Sequence, residues 1–135
     1  MSLTFIDEFQ KQLYSVLSQE KEIMNYIKKI YFGTVQDGKS PFLLINIIKA
    51  EDLSLHLESI YSVEFQIAAY AKDHNYQLLV KLADQIVRTL NSISSHFSGY
   101  IIAGIKANDL KFEKAKDLVL NKLTINYKAL IKRGI

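Results

Sequence analysis

The chain has no cysteine, one proline and five glycines in 135 residues. Without cysteine it can hold neither a disulfide framework nor a thiolate metal site, and a reducing compartment suits it. The glycines, at 33, 38, 99, 104 and 134, are too scattered for a dinucleotide fingerprint or a phosphate-binding loop. No apolar run approaches the roughly 20 residues that a membrane-spanning helix needs. The longest, FLLINII from Phe42 to Ile48, is interrupted by Asn46, and no membrane partner is expected. The opening MSLTFIDEFQKQL carries acids early and has no basic segment ahead of an apolar one, so it reads as a helix and not as a secretory signal. A large excess of one charge is also missing. Seventeen Lys and Arg face fourteen Asp and Glu, a net charge of +3. The most basic-looking stretch interleaves Lys106, Lys111, Lys114 and Lys116 with Asp109, Glu113 and Asp117. That mixture describes a solvated surface and argues against a nucleic-acid partner, which calls for a clustered basic patch.

What is present is enough for one core: 49% of residues are hydrophobic and 23% charged. Phe5, Phe9, Leu13, Val16 and Leu17 recur at helical spacing, with Thr4 and Asp7 placed as an N-cap pair. A short helix over Gln19–Ile27 and a short strand over Ile30–Phe32 follow. The stretch from Gly33 to Ser40 reads as a loop carrying an Asp37-Gly38 turn, and Phe42–Ile48 as a buried strand. Ala50–Ser59 is polar with scattered leucines and reads as a flexible hairpin tip. From Ile60 to Ala71, Val63, Phe65, Ile67 and Ala69 alternate with Glu64, Gln66, Ala68 and Tyr70, the period of a strand. Asp73 or Asn75 then caps a long helix whose stripe is Leu79, Leu82, Ala83, Ile86, Leu90, Ile93 and Phe97, ended by Ser98-Gly99. Two strands close the chain, Tyr100–Phe112 with a bend at Gly104, and a last one carrying Leu123, Ile125, Tyr127, Ala129 and Ile131 on one face. The expected fold is α+β: a single domain over residues 1–135, a mainly antiparallel sheet of about four to five strands, and the N-terminal and long helices on one face.

The same pass finds no catalytic, cofactor-binding or metal-binding constellation. His56, His74 and His96 have no second histidine at ligand spacing. His74 beside Asp73 reads as part of a helix cap, and His96 as a helix-end residue. Glu51-Asp52 and the Glu20/Glu22 pair lack the glycine and spaced oxygens of a calcium loop. Ser94-Ser95 has no nucleophile-elbow pattern around it. Tyr61, Phe65, Tyr70 and Tyr127 lie on strands, but Phe65 and Tyr70 face opposite ways and no basic residues interleave as a base-stacking sheet requires. No enzyme is expected. The residues alone leave open a small α+β binding module, for a ligand or nucleic acid.

The whole-chain arrangement resembles the tail-terminator, or tail-completion, proteins of long-tailed phages, prophages and gene-transfer particles. The pieces that carry the likeness are the opening helix FIDEFQKQLYSVL, the strand KIYFG, and SPFLLINII, where a strand follows a proline. Next comes the strand-turn-helix EFQIAAYAKDHNYQLLVKLADQIVRTL, and then the closing strands YIIAGIKANDLKF and KLTINYKALIK. The chain departs from the family in being richer in Lys, Ile and Asn. The resemblance implies a structural protein that caps the head-proximal end of the tail tube as a homo-oligomeric ring, normally a hexamer. Its partners would be the tail tube protein and a head-tail connector protein, in the virion tail and, during assembly, in the bacterial host cytoplasm. Function would then lie in loops and sheet edges, and Asp37, Lys39, Glu51 and Asp52 are the expected assembly-interface residues.

Overall fold

A computed structural model describes residues 4–35, 39–55, 58–72, 76–93, 96–114 and 120–134. The helices are α1 (Thr4–Ser18), α2 (Lys21–Met24) and α3 (Tyr76–Asn91). The strands are β1 (Lys29–Phe32), β2 (Phe42–Asp52), β3 (Ile60–Lys72), β4 (His96–Phe97), β5 (Tyr100–Lys114) and β6 (Leu120–Arg133). They form one sheet in the order β1-β2-β3-β6-β5-β4.

The sheet has six strands, not four to five. The two-residue β4, which the sequence reading placed in the long helix, accounts for the difference. It is also mixed: β1 runs parallel to β2, while every other pair is antiparallel. The parallel pair arises because the chain leaves β1 and returns to start β2 beside it, with Lys29 opposite Phe42 and Phe32 opposite Ile45. The Ser40–Pro41 peptide bond at that return is cis. The Asp37-Gly38 turn and the Asp73 and Asn75 caps lie outside the described residues.

Each helix contributes one apolar stripe. Phe5, Phe9, Leu13 and Leu17 recur every fourth residue of α1, and all four are fully buried. In α3 the stripe is Leu79, Leu82, Ala83, Ile86 and Leu90. The helix ends at Asn91 and does not run on to Ser98. Phe97 belongs to β4, where it pairs with Tyr100 across a tight turn at Ser98 and Gly99, both with positive φ. Its match to the helical stripe is accidental, since two residues cannot declare a period.

The helices cover one face of the sheet. Register places Val63, Phe65, Ile67 and Ala69 of β3 beside Ala129, Tyr127, Ile125 and Leu123 of β6. On that face Phe9 meets Phe65 edge to face at 5.4 Å, and Phe65 stacks on Tyr127 at 5.0 Å. Such pairs each add roughly 0.5–1.5 kcal/mol beyond the area they bury.

Candidate assembly surfaces

The segment read as a flexible tip, Ala50–Ser59, begins as strand. β2 runs on to Asp52, so Glu51 and Asp52 are strand-end residues paired with Ser62 and Tyr61. Beyond Asp52, hydrogen bonds tie Leu53 and Ser54 to Ile60. The Leu53 N–H donates to the Ile60 carbonyl at 2.8 Å, and the Ile60 N–H donates to the Ser54 hydroxyl at 3.0 Å. Hydrogen bonds from Ser54, including its backbone N–H at 2.9 Å, hold the Asp52 carboxyl below the usual carboxylate value. Glu51 pairs with Lys49 at 3.1 Å, and this hydrogen-bonded ion pair raises the lysine's pKa.

Lys39, also exposed, lies just ahead of Phe42 at the other end of β2. Nine residue steps along the strand, roughly 30 Å, separate Phe42 from Glu51. The structure therefore does not bring Lys39 together with Glu51 and Asp52. Asp37 lies outside the described residues, as do His56, His74, Ser94 and Ser95. His96 sits on β4 opposite Ile101 and not at a helix end. Among the described residues no group of three or more His, Asp or Glu side chains could hold a metal ion.

Two exposed apolar clusters stand out. The first is at the β2–β3 tip, where Leu53 and Leu55 are exposed, the latter 70%; exposed Ile48 lies apart from it, beside Gln66 and Asn108 on the helix-free face. Ile48 is turned out by a register shift between Ile47 and Lys49, an extra residue that the β3 ladder does not take up. The second lies where the start of α3 meets β5. Tyr76 faces Phe112, and both are exposed, as are Val80 one helical turn on and Leu110 two residues back along the strand. The Tyr76 and Phe112 rings are 5.3 Å apart. They line an open groove of about 580 Å³ with Leu79, Glu113, Lys114, Asn121 and Lys122. Periodicity could not reveal this cluster, because its members sit on elements far apart in sequence.

No family model matches the chain, and no curated protein matches it in sequence. A match comes from fold. A chain in a solved structure of the virion of a native gene transfer agent particle superposes with a TM-score of 0.76, over 97% of this chain and 99% of that one. The two are 10% identical. At that identity the likeness establishes a shared fold, and it takes in the helices and the sheet together.

The sheet's helix-free face is polar in its middle. Gln66 Nε2 donates to Asn126 Oδ1 at 2.8 Å, and Asn126 Nδ2 donates to Asp109 Oδ1, a chain of side chains across β3, β6 and β5. Among the described residues the two flanks of the sheet are open for much of their length. β1 pairs with β2 only from Phe42 to Ile45, and β4 with β5 only at Tyr100 and Ile101. Charged side chains and register shifts along both flanks, at Ile47/Lys49, Ile102/Gly104 and Ala107/Asp109, discourage indiscriminate strand addition.

Proposed function

We propose that this chain is a structural protein of a phage-like particle, without catalytic activity, built as a single tail-terminator-like domain over residues 1–135. It caps the head-proximal end of the tail tube, stops tube polymerisation and joins the tail to the head connector. It does so as a ring, by analogy a hexamer, in the virion tail, after assembly in the bacterial host cytoplasm. The observation that carries this reading is the nearly end-to-end likeness of fold to a chain of a gene transfer agent virion. It agrees with the order of pieces in the sequence, from the opening helix to the closing strand pair.

Asp37, Lys39, Glu51 and Asp52 are proposed as contact residues; of these, Lys39 stands ahead of the start of β2, and Glu51 and Asp52 at its end. Lys39 would serve one neighbour in the stack and Glu51 with Asp52 another. The test is to add purified protein to growing tail tubes of the particle that encodes it and to image the tube ends. A ring at one end with tube length fixed is expected. Tubes that keep lengthening with bare ends would remove the proposal in favour of a ligand- or nucleic-acid-binding module.

A further inference from the structure

The outer flank of β5 is the longest open edge among the described residues, since β4 covers it only at Tyr100 and Ile101. Beyond the register shift at Ala107/Asp109, the run from Asp109 to Lys114 pairs with Asn126 to Asn121 without interruption. The ladder fixes which way each backbone group in that run points. Just past the Tyr100–Arg133 pair, the Gly134 N–H donates to the Gly99 carbonyl at 2.7 Å, while the Arg133 N–H donates toward β3, to the Ser59 carbonyl at 3.1 Å. Alternation then turns even-numbered β6 residues toward β5 and odd-numbered ones toward β3. Leu110 and Phe112 stand opposite Ile125 and Leu123, so their own N–H and C=O groups turn outward. No described strand meets them there, and both side chains are exposed.

An open edge of this kind is a template for another strand. The order of its side chains says which strand fits. When two copies of the run lie antiparallel about a two-fold axis at Phe112, Lys111 of each stands opposite Glu113 of the other, and Phe112 lies beside its counterpart. Leu110 then rests on the methylene stem of Lys114. Centred on Lys111, the same ladder sets Lys111 against itself and Asp109 against Glu113, like charge on like. Centred on Leu110, it runs into the Ala107/Asp109 shift. The β2 flank is a poorer mate, because the register that sets Lys111 against Glu51 also sets Leu110 against Asp52. The edge is therefore complementary to itself.

We infer that two copies of this chain pair through the Asp109–Lys114 edge of β5, joining their sheets across a two-fold axis at Phe112. The contact is isologous: the same patch serves both copies and is used up in the pair. The inference goes beyond the ring reading and does not depend on it, since it describes the chain before it meets a tube. Both outward-turned residues carry their side chains on the helix-covered face, so the joined sheet keeps the helices of both copies on one side. Pairing also hides a stretch of open flank that no register shift protects.

Sedimentation of the purified chain should show a dimer whose share rises with concentration. Lys111→Glu and Glu113→Lys each set like charges opposite one another and should weaken the dimer at least tenfold. The double swap, Lys111→Glu with Glu113→Lys, should restore it. These are exposed positions, so the thermal melts should stay nearly unchanged. Register is checked by oxidation, in a chain with no cysteine of its own. Residues directly opposite in an antiparallel pair lie about 4.5–5.5 Å apart at Cα, within disulfide reach. Phe112→Cys should give a covalent dimer, and Lys111→Cys mixed with Glu113→Cys a covalent heterodimer. Lys111→Cys alone sits at a diagonal of roughly 7–8 Å from its counterpart and should link at least fivefold less. A monomer at every concentration overturns the inference, as does a dimer indifferent to the charge swaps. Phe112→Cys linking to Ala50→Cys in preference to itself would overturn it too, by giving the edge to β2.

Discussion

The two faces of the sheet are built by alternate residues of the same strands, yet they do opposite things. On the helix-covered face the row Ile45–Ile67–Ile125 crosses three strands without a polar atom in its side chains, and all three residues are buried. One residue further along, on the free face, the row is Asn46–Gln66–Asn126–Asp109. The next row is Lys49–Glu64–Lys128–Lys106. The first face holds the fold together by burial. The second fixes register, because a one-residue slip would drive amides and charges into the core. The free face has its own apolar end, however. Tyr31, Phe42 and Tyr70 are ranged side by side there, with ring centroids 5.4 and 4.7 Å apart, and Lys29 and Lys122 lie over the outer rings.

The largest effect should come from Phe65→Ala on the covered face. It empties a site between Phe9 and Tyr127 and is expected to cost about 3–5 kcal/mol in chemical denaturation. Phe42→Ala on the free face is expected to cost about 1.5–3 kcal/mol, nearer the transfer energy of the ring alone. Its neighbour Tyr70 is only half-buried and can move into the space. Equal losses for the two would break the contrast and make the free face's aromatic end a second core.

Tyr127 sharpens the comparison from inside the core. It is 2% exposed, and its hydroxyl finds no hydrogen-bond partner among the described residues. Burial pushes its pKa well above the ordinary tyrosine value near 10. Below about pH 10 both folded and unfolded chains keep the proton, and stability is unaffected. Above it the unfolded chain releases the proton first, so stability should fall by about 1.4 kcal/mol per pH unit until the raised folded pKa is reached. Tyr127→Phe should remove this group's alkaline slope and, at neutral pH, stabilise the fold by about 1 kcal/mol. Urea melts at pH 7 and 11 measure both. An unchanged slope would show that the hydroxyl is hydrated or paired.

The alternation of β3 and β6 and the four-residue repeat of α1 were legible in the sequence, because burial on one side of a regular element writes its period into the residue order. Three features were not. The two-residue strand β4 is too short to show a period, so Phe97 passed as helix. The parallel pairing of β1 depends on where the chain returns, which local propensity does not encode. The groove joins Tyr76 to Phe112, thirty-six positions apart, and only the sheet order brings them together. Glu51 and Asp52 were found as charged surface residues, but the polar run that suggested a flexible loop hid the end of a strand held by its partner.

The smallest expected effect tests what the polar face contributes. Asn126 joins Gln66 to Asp109, so Asn126→Ala removes two side-chain hydrogen bonds at once. In a dry core this would leave two groups stranded at several kcal/mol, but here Asp109 is exposed and Gln66 only half-buried. Water can replace the lost partner, and the cost should be about 0.5–1.5 kcal/mol. If the face specifies register more than stability, the variant should keep its cooperative melt while amide exchange quickens along β5, whose outer flank has only β4 for company. A loss near that of Phe65→Ala would mean instead that the chain of amides is a structural core of its own, and the two faces would no longer differ in kind.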